Sequence, residues 1–200
     1  MKKILFALCL GLSMPILHAE PTQAIFQQLA QTSLVRAHFE QQKKLVSLNK
    51  TFSSQGEILF NRQQGVLWQI KKPVQADLVV TPKKLVQKTQ RTLSEINVQQ
   101  SPYGSVATLF LQLMAGDQAT LTQNFNITHV ENTSKGWQVQ LTPKNTLFKK
   151  LFTQVDAQGG QYVNQIVLQE KDGNTTTIRF SQQNSQPMNV QENELFKLAK

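Results

Sequence analysis

The first half of the chain is dominated by apolar residues at every second position. This two-residue period appears at Val35, Ala37 and Phe39, and it returns over residues 52–60 and 66–70 on either side of a polar loop. A period of two places alternate side chains on one face of a strand, so half of each strand faces a core. The pattern predicts antiparallel strands joined by short hairpins.

The same pattern continues through most of the chain, interrupted by turn residues at 135–136, 159–160 and 172–174. The tail after residue 182 is polar, and Leu195 and Phe196 are only a candidate for a last strand beyond those counted below. Further strands are predicted over residues 77–81, 85–89, 93–98, 125–130, 137–142, 148–155, 162–170 and 175–181. The total is about ten or eleven strands.

Two segments have helical rather than strand periodicity. Residues 22–33 carry apolar residues three and four apart, which predicts a short amphipathic helix. A second helix is predicted to start at Pro102 and to stop at Gly116, and both of its faces carry apolar residues. The predicted fold is therefore mainly β (α+β): an unclosed antiparallel barrel or curved sheet with helices packed over it.

The first nineteen residues have the order of a secretory signal peptide. Lys2 and Lys3 precede an apolar run over residues 4–12, and Ala19 ends the segment. We expect residues 1–19 to be a cleavable signal peptide that directs the chain to the periplasm, with residues 20–200 forming a single domain. Cys9 is the only cysteine, so the mature chain contains no disulfide and no thiol nucleophile.

Composition and motifs give no sign of catalysis. The two histidines of the mature chain, His38 and His129, have no Cys, Asp or second His at metal-ligand spacing, and no nucleophile elbow, phosphate loop or dinucleotide fingerprint is present. We expect a protein that is not an enzyme and has neither metal nor cofactor. Without Lys2 and Lys3, the formal charge of +9 falls to +7; for an exported chain this favours anionic membranes or acidic proteins over nucleic acid.

The large apolar residues on the predicted inner faces have two interpretations. They either fill a solid core, as any barrel requires, or line a cavity for a ligand. The alternation alone leaves both interpretations open. The residues concerned are Phe39, Phe52, Phe60, Trp68, Leu78, Val80, Leu109, Phe110, Leu113 and Met114.

Four short motifs follow one another along the chain: Phe-Glu-Gln at 39–41, Gly-Glu-Ile-Leu-Phe-Asn-Arg at 56–62, Leu-Trp-Gln-Ile at 67–70 and Trp-Gln-Val-Gln-Leu-Thr-Pro-Lys at 137–144. Taken together and in this order, they resemble the LolA family of periplasmic lipoprotein carriers. The resemblance implies an unclosed antiparallel barrel with a helical lid over a hydrophobic cavity, and no catalytic activity. It also implies a monomer that accepts acylated lipoproteins from an inner-membrane ABC transporter complex and delivers them to an outer-membrane acceptor.

The resemblance also suggests roles for particular residues. The family's functional arginine, which hydrogen-bonds the lid backbone and holds the cavity shut, falls on Arg62. We therefore predict that Arg62 latches the lid to the sheet. The predicted cavity residues are Leu109, Phe110, Leu113 and Met114 on the lid side, and Phe39, Phe52, Ile58, Phe60, Trp68, Ile70 and Val80 on the sheet side.

Two departures from the family pattern bear on the cargo. The proline that closely follows the family's arginine is replaced by residues 63–65, and the aromatic-rich strand after the next hairpin is replaced by residues 85–89, which contain no aromatic residue. These departures leave open a carrier of a non-lipoprotein lipid, such as a free acyl or polyene product. A further alternative is an interaction module with a filled core and a basic surface that faces a partner or a membrane.

Overall fold

The computed structural model describes residues 20–98 and 102–199. The predicted signal peptide, including Cys9, lies outside these ranges. The described strands form one antiparallel sheet of eleven strands in the order β6-β5-β4-β3-β2-β1-β11-β10-β9-β8-β7. The two edge strands, β6 and β7, do not pair within the described residues, so the sheet is not closed. The predicted fold class is therefore confirmed.

Strands that follow one another along the chain pair as neighbours in each half of the sheet, and the β1–β11 pair joins the two halves. Their bounds are β1 Leu34–Leu45, β2 Lys50–Asn61, β3 Gly65–Lys72, β4 Ala76–Val80, β5 Lys84–Lys88, β6 Leu93–Asn97, β7 Phe125–Thr133, β8 Gly136–Pro143, β9 Phe152–Gly159, β10 Val163–Glu170 and β11 Thr175–Asn184. The five helices are α1 Pro21–Ala30, α2 Pro102–Ala115, α3 Gln118–Asn124, α4 Thr146–Leu151 and α5 Val190–Lys197.

The alternation of apolar residues gives the sheet two buried faces. Ile58 and Phe60 of β2 point to the concave face, where they join a large core with α1 and α2, whereas Leu59 between them points to the convex face. On the convex side a second, smaller core forms beneath α5. Its buried members are Leu59, Leu67, Val79, Val86, Leu195, Phe196 and Ala199.

Both predicted helices are present, and they pack tightly against each other. The second helix has the predicted start and stop, while the first ends three residues earlier than predicted, at Ala30. Gly116 follows α2 with a φ of +63°, and a Cβ there would lie 2.5 Å from both the Ala30 nitrogen and the Phe26 oxygen. Only glycine fits a left-handed cap at so close an approach.

Two strand predictions are wrong because helix caps override the local apolar pattern. Leu195 and Phe196 lie on helix α5, which Asn189 starts with a capping box to Glu192. Phe148 lies on α4 rather than on a strand, because the Asn145 side chain accepts a hydrogen bond from its backbone N–H at 2.9 Å. Strand β9 consequently begins only at Phe152.

Antiparallel pairing brings alternate connections to the same end of the sheet. One end, called the rim here, holds the β1–β2, β3–β4, β5–β6 and β10–β11 turns together with helix α4. We define the rim as residues 43–52, 71–76, 88–93, 146–152 and 170–175. None of the helices in the described ranges is long and apolar enough to cross a membrane.

Candidate functional site

A cavity of about 530 Å³ lies between the concave face of the sheet and helix α2. This volume falls in the range of roughly 300–1,000 Å³ that is typical of small-molecule sites. Val106, Ala107 and Phe110 contribute one wall from α2. Strands β3, β4 and β5 contribute one part of the facing wall, through Val66, Trp68, Ile70, Leu78, Val80 and Leu85. Another apolar part comes from α4 and strands β9, β10 and β11, through Leu151, Phe152, Leu168 and Ile178. The arrangement suits a ligand that is mainly apolar.

Trp68 anchors the cavity wall to the helix above it. Its ring lies 4.7 Å from that of Phe39 and 5.2 Å from that of Phe110, the latter in an edge-to-face arrangement. The ring of Phe180, on β11, lies 6.3 Å from the Trp68 ring. Such aromatic pairs stabilise by about 0.5–1.5 kcal/mol beyond the area they bury. These ring contacts therefore connect strands β1, β3 and β11 to helix α2 at the wall of the cavity.

The cavity is polar where it reaches the rim. Lys43 donates from Nζ to Oε2 of Glu170 at 2.7 Å, and the Thr176 hydroxyl donates to Oε1 of the same carboxylate at 2.7 Å. The Glu170 side chain is only 15% exposed, so these bonds satisfy a largely desolvated charge. Gln41 lines the same region. A ligand in the cavity would meet apolar groups inside and this polar cluster at the rim end.

Sequence reasoning missed the polar cluster, although a signal for it exists. Gln41 and Lys43 continue the inward parity of Val35, Ala37 and Phe39, and Lys43 lies directly opposite Thr176 in the β1–β11 register. Polar residues at inward positions of a strand indicate either a solvated strand end or a functional site. The strand pairing that brings Glu170 beside them is not readable from the sequence alone.

Arg62 lies where the C-terminal ends of α1 and α2 meet, at the end of the sheet opposite the rim. Its Nε donates to the Thr32 carbonyl at 3.0 Å, and its Nη2 donates to the carbonyls of Leu29 and Ala115 at 3.2 and 3.1 Å. The last carbonyls of a helix have no partner within the helix and carry partial negative charge. One guanidinium therefore ties the ends of both helices to the β2–β3 hairpin.

The structure divides the predicted cavity residues into those that line the cavity, those buried in the core around it, and Phe52, which is exposed. Trp68, Ile70, Val80 and Phe110 line the cavity. Six others are buried in the core around it rather than on its surface: Phe39, Ile58, Phe60, Leu109, Leu113 and Met114.

The prediction for Phe52 is wrong. Its side chain is 53% exposed, because the first part of β2 extends beyond the helices and is exposed on both faces. Phe52 lies on the same side of β2 as Ile58 and Phe60, but the described residues leave more than half of its surface uncovered. Alternation along a strand predicts the face to which a side chain points, but it does not predict how much of that side chain is buried.

Neither histidine belongs to a cluster of potential ligands. His38 is exposed on β1, and Nε2 of His129 lies 3.0 Å from Oε1 of Glu131 at the surface. In the described part of the chain, no group of three or more His, Cys, Asp and Glu residues is placed to hold a metal ion.

Among the described residues, an arginine and a glutamate with shifted pKa values lie together on the convex face of the sheet. Arg36 of β1 forms a bidentate pair with Glu192 of α5 at 2.8 and 3.0 Å, and its Nη2 also donates to the Pro187 carbonyl. Burial raises the pKa of the Glu192 carboxyl, but hydrogen bonds from Arg36 and from the Asn189 backbone outweigh it, so this pKa lies below its ordinary value. The hydrogen bond to Glu192 raises the pKa of Arg36. This pair fastens α5 to the convex face.

Comparison with known proteins agrees with this architecture. The family model described as outer membrane lipoprotein carrier protein LolA matches residues 30–199. A LolA superfamily protein from Nitrosomonas europaea is similar in structure, with a TM-score of 0.51 and 10% identity over 89% of this chain and 98% of that one. A putative outer membrane lipoprotein-sorting protein domain from Vibrio parahaemolyticus has a TM-score of 0.51 and 8% identity over 88% and 97%. No curated protein sequence matches the chain significantly.

Proposed function

Because this chain belongs to the LolA family of outer membrane lipoprotein carrier proteins, we propose that it is a periplasmic carrier for the acyl chains of a lipoprotein or a related lipid. In this proposal residues 1–19 direct export and are removed, and residues 20–200 form the single carrier domain. An inner-membrane ABC transporter complex donates the cargo and an outer-membrane acceptor receives it. The observation that carries the proposal is the apolar cavity of about 530 Å³ beneath α2.

The energetics of an acyl chain in water explain why a carrier needs such a cavity. Each exposed methylene costs about 0.8 kcal/mol, so a chain of about sixteen carbons costs up to roughly 12 kcal/mol in water. A wall of Trp68, Ile70, Leu78, Val80 and Phe110 offsets much of this cost. The cluster of Lys43, Glu170 and Thr176 then offers hydrogen-bonding partners to the polar end of the cargo. The acyl chain would lie inside, and its polar end would lie at the rim.

A carrier must also release what it binds. Arg62 joins the ends of α1 and α2 to the β2–β3 hairpin through three carbonyl contacts. In the proposed mechanism these bonds hold the two helices over the cavity, and binding or release requires them to break. The open and closed states must then differ by only a few kcal/mol, so that a donor or acceptor can shift the balance.

Native mass spectrometry of protein purified from the periplasm tests the carrier proposal directly. We expect a co-purifying acylated molecule, and its extraction identifies the cargo as a lipoprotein or as a free lipid. The filled variant Ala107→Phe places a ring in the cavity and should lose both this cargo and the uptake of an apolar fluorescent dye. Ala119→Phe makes the same change at an exposed position on α3 and should retain both.

A protein that binds no acylated molecule would favour an interaction module over a carrier. A clean apo mass, together with no uptake of fatty acid or apolar dye by the parent protein, would contradict the carrier proposal. It would instead support an interaction module that uses its basic surface. Loss of dye uptake in both variants would show that the dye does not report on the cavity.

A further inference from the structure

Exposed hydrophobic side chains are concentrated at one end of the molecule. Among the described residues, seven large hydrophobic side chains are exposed, and six of them lie on the rim: Val46, Leu48, Phe52, Val74, Leu93 and Leu147. The seventh, Val190, lies at the start of α5. Scattered exposed apolar residues are normal, but a concentration at one end indicates a surface that contacts something apolar.

The same rim is strongly basic. It carries nine exposed lysine and arginine side chains, among them Lys44, Lys50, Lys149, Lys150 and Lys171, and one exposed carboxylate, Asp172. The other rim carboxylate, Glu170, is paired with Lys43. Apolar tips surrounded by cations are typical of proteins that insert shallowly into a bilayer and hold its anionic headgroups.

The cavity ends at this rim. Gln41, Lys43, Glu170 and Thr176 line it at the rim end, and the Lys43 side chain is 39% exposed there. The β1–β2 turn that carries Val46 and Leu48 begins after Leu45, two residues beyond Lys43 on the same strand. The Val46 N–H donates to Oδ1 of Asn174 at 2.9 Å, which fixes this hairpin beside the β10–β11 turn. The rim is thus a connected surface around the end of the cavity.

From this juxtaposition we infer that the rim docks on a bilayer containing anionic phospholipid, with the end of the cavity facing the membrane. The tips at Val46, Leu48 and Phe52 enter the headgroup region, while the surrounding lysines contact lipid phosphates. Docking shortens the aqueous path of an acyl chain between membrane and cavity. The inference rests on the proposed carrier function for its purpose, but membrane binding itself is measured without any cargo.

Vesicle flotation of the mature full-length chain tests the inference. We expect the parent to float with vesicles of phosphatidylethanolamine and phosphatidylglycerol, weakly with vesicles of phosphatidylcholine alone, and less as salt is raised. A basic side chain near an anionic surface contributes about 1 kcal/mol, or roughly fivefold in partitioning. Lys50→Glu removes one such cation and adds a repelled anion, so binding should fall by more than the roughly fivefold that one cation contributes.

Matched variants separate the rim from general effects of charge and hydrophobicity. Lys135→Glu makes the same charge change at the opposite end of the sheet and should bind as the parent does. Leu48→Asp should lose binding, whereas Val190→Asp, at a side chain that is 80% exposed on the convex side, should not. Apolar-dye uptake in solution should be equal in all four variants, because none of them lines the cavity.

Three results would overturn the inference. The parent protein could take up dye but fail to float, which would remove membrane docking and leave the carrier proposal intact. Lys135→Glu could lose as much binding as Lys50→Glu, which would reduce the effect to net charge. Equal flotation with phosphatidylcholine vesicles would show that anionic headgroups play no part.

Discussion

The two faces of the sheet are built from the same strands but are closed differently. The convex face is covered by α5, and its core residues Leu67 and Val79 have no exposed surface at all. The concave face is covered by α1 and α2, yet a cavity of about 530 Å³ remains beneath α2. Protein interiors are normally packed to the density of organic crystals. Within the described residues, this apolar cavity lies on the concave face, whereas Leu67 and Val79 on the convex face are completely buried.

The largest expected effect comes from truncating the packed face. Leu67→Ala leaves a void that the β3 backbone and α5 cannot fill, so we expect a loss of about 3–5 kcal/mol in the free energy of unfolding. Urea denaturation measures it. Dye uptake by the folded fraction should be unchanged, because Leu67 does not contact the cavity. A loss of dye uptake without loss of stability would reverse the roles that we assign to the two faces.

The next effect concerns the charged pair that holds α5 on the convex face. Glu192→Gln leaves Arg36 without its counter-ion and weakens the capping box, which should cost about 2 kcal/mol at pH 7. Glu194→Gln on the same helix changes an exposed carboxylate and is the control. Equal losses in the two variants would mean that the Arg36–Glu192 pair contributes nothing specific.

The pH dependence of stability follows from the lowered pKa of Glu192. The folded state favours the ionised carboxyl, so its contribution is fully present above the ordinary value of 4.5 and is lost as the pH falls through the folded pKa. We expect the stability difference between parent and Glu192→Gln to shrink as the pH falls below that value. Urea unfolding of both proteins across this range measures it, and a constant difference would contradict the assignment.

A smaller effect is expected from the same truncation on the concave face. Leu78 lines the cavity, so its side chain already lacks neighbours on one side, and Leu78→Ala should cost only about 1 kcal/mol of stability. Its affinity for an apolar dye should fall at the same time. If Leu78→Ala were as destabilising as Leu67→Ala, the concave face would be as well packed as the convex one.

The smallest effect on stability is expected at Arg62. Its side chain lies at the surface, so Arg62→Leu should cost no more than about 1 kcal/mol. Dye release should nevertheless become faster, because the ends of α1 and α2 lose three hydrogen bonds to the β2–β3 hairpin. Stopped-flow dilution measures the release rate. Release at the rate of the parent would contradict the latch.

Most of the fold could be predicted from the sequence because the alternation of apolar and polar residues, and the turn and cap residues between elements, are local signals. The hairpin from β2 to β3 and the bounds of α2 follow from residue spacing, Pro102 and Gly116. Helix α5 is not predicted because the adjacent apolar pair Leu195 and Phe196 is equally typical of a short strand. Asn189 followed three residues later by Glu192 is a capping-box signature that identifies it.

The site was harder to predict than the fold because a cavity is defined by what is missing. Trp68 and Ile58 have the same parity on neighbouring strands, yet only Trp68 lines the cavity and Ile58 is buried in the core. The difference depends on where α2 lies above the sheet, which no spacing along the strands encodes. Arg62 was identified by family resemblance, since an arginine in a hairpin carries no local signal for a role.

Because β6 and β7 do not pair with each other within the described residues, closure does not fix the radius of the sheet. In a closed barrel, strand number and stagger together fix the diameter, so the interior cannot widen without breaking ladder hydrogen bonds. Here the ladder runs from β6 to β7 without joining its ends. A change of curvature would therefore leave every strand with its partners, and in the proposed carrier this would admit acyl cargoes of different width without repacking the core.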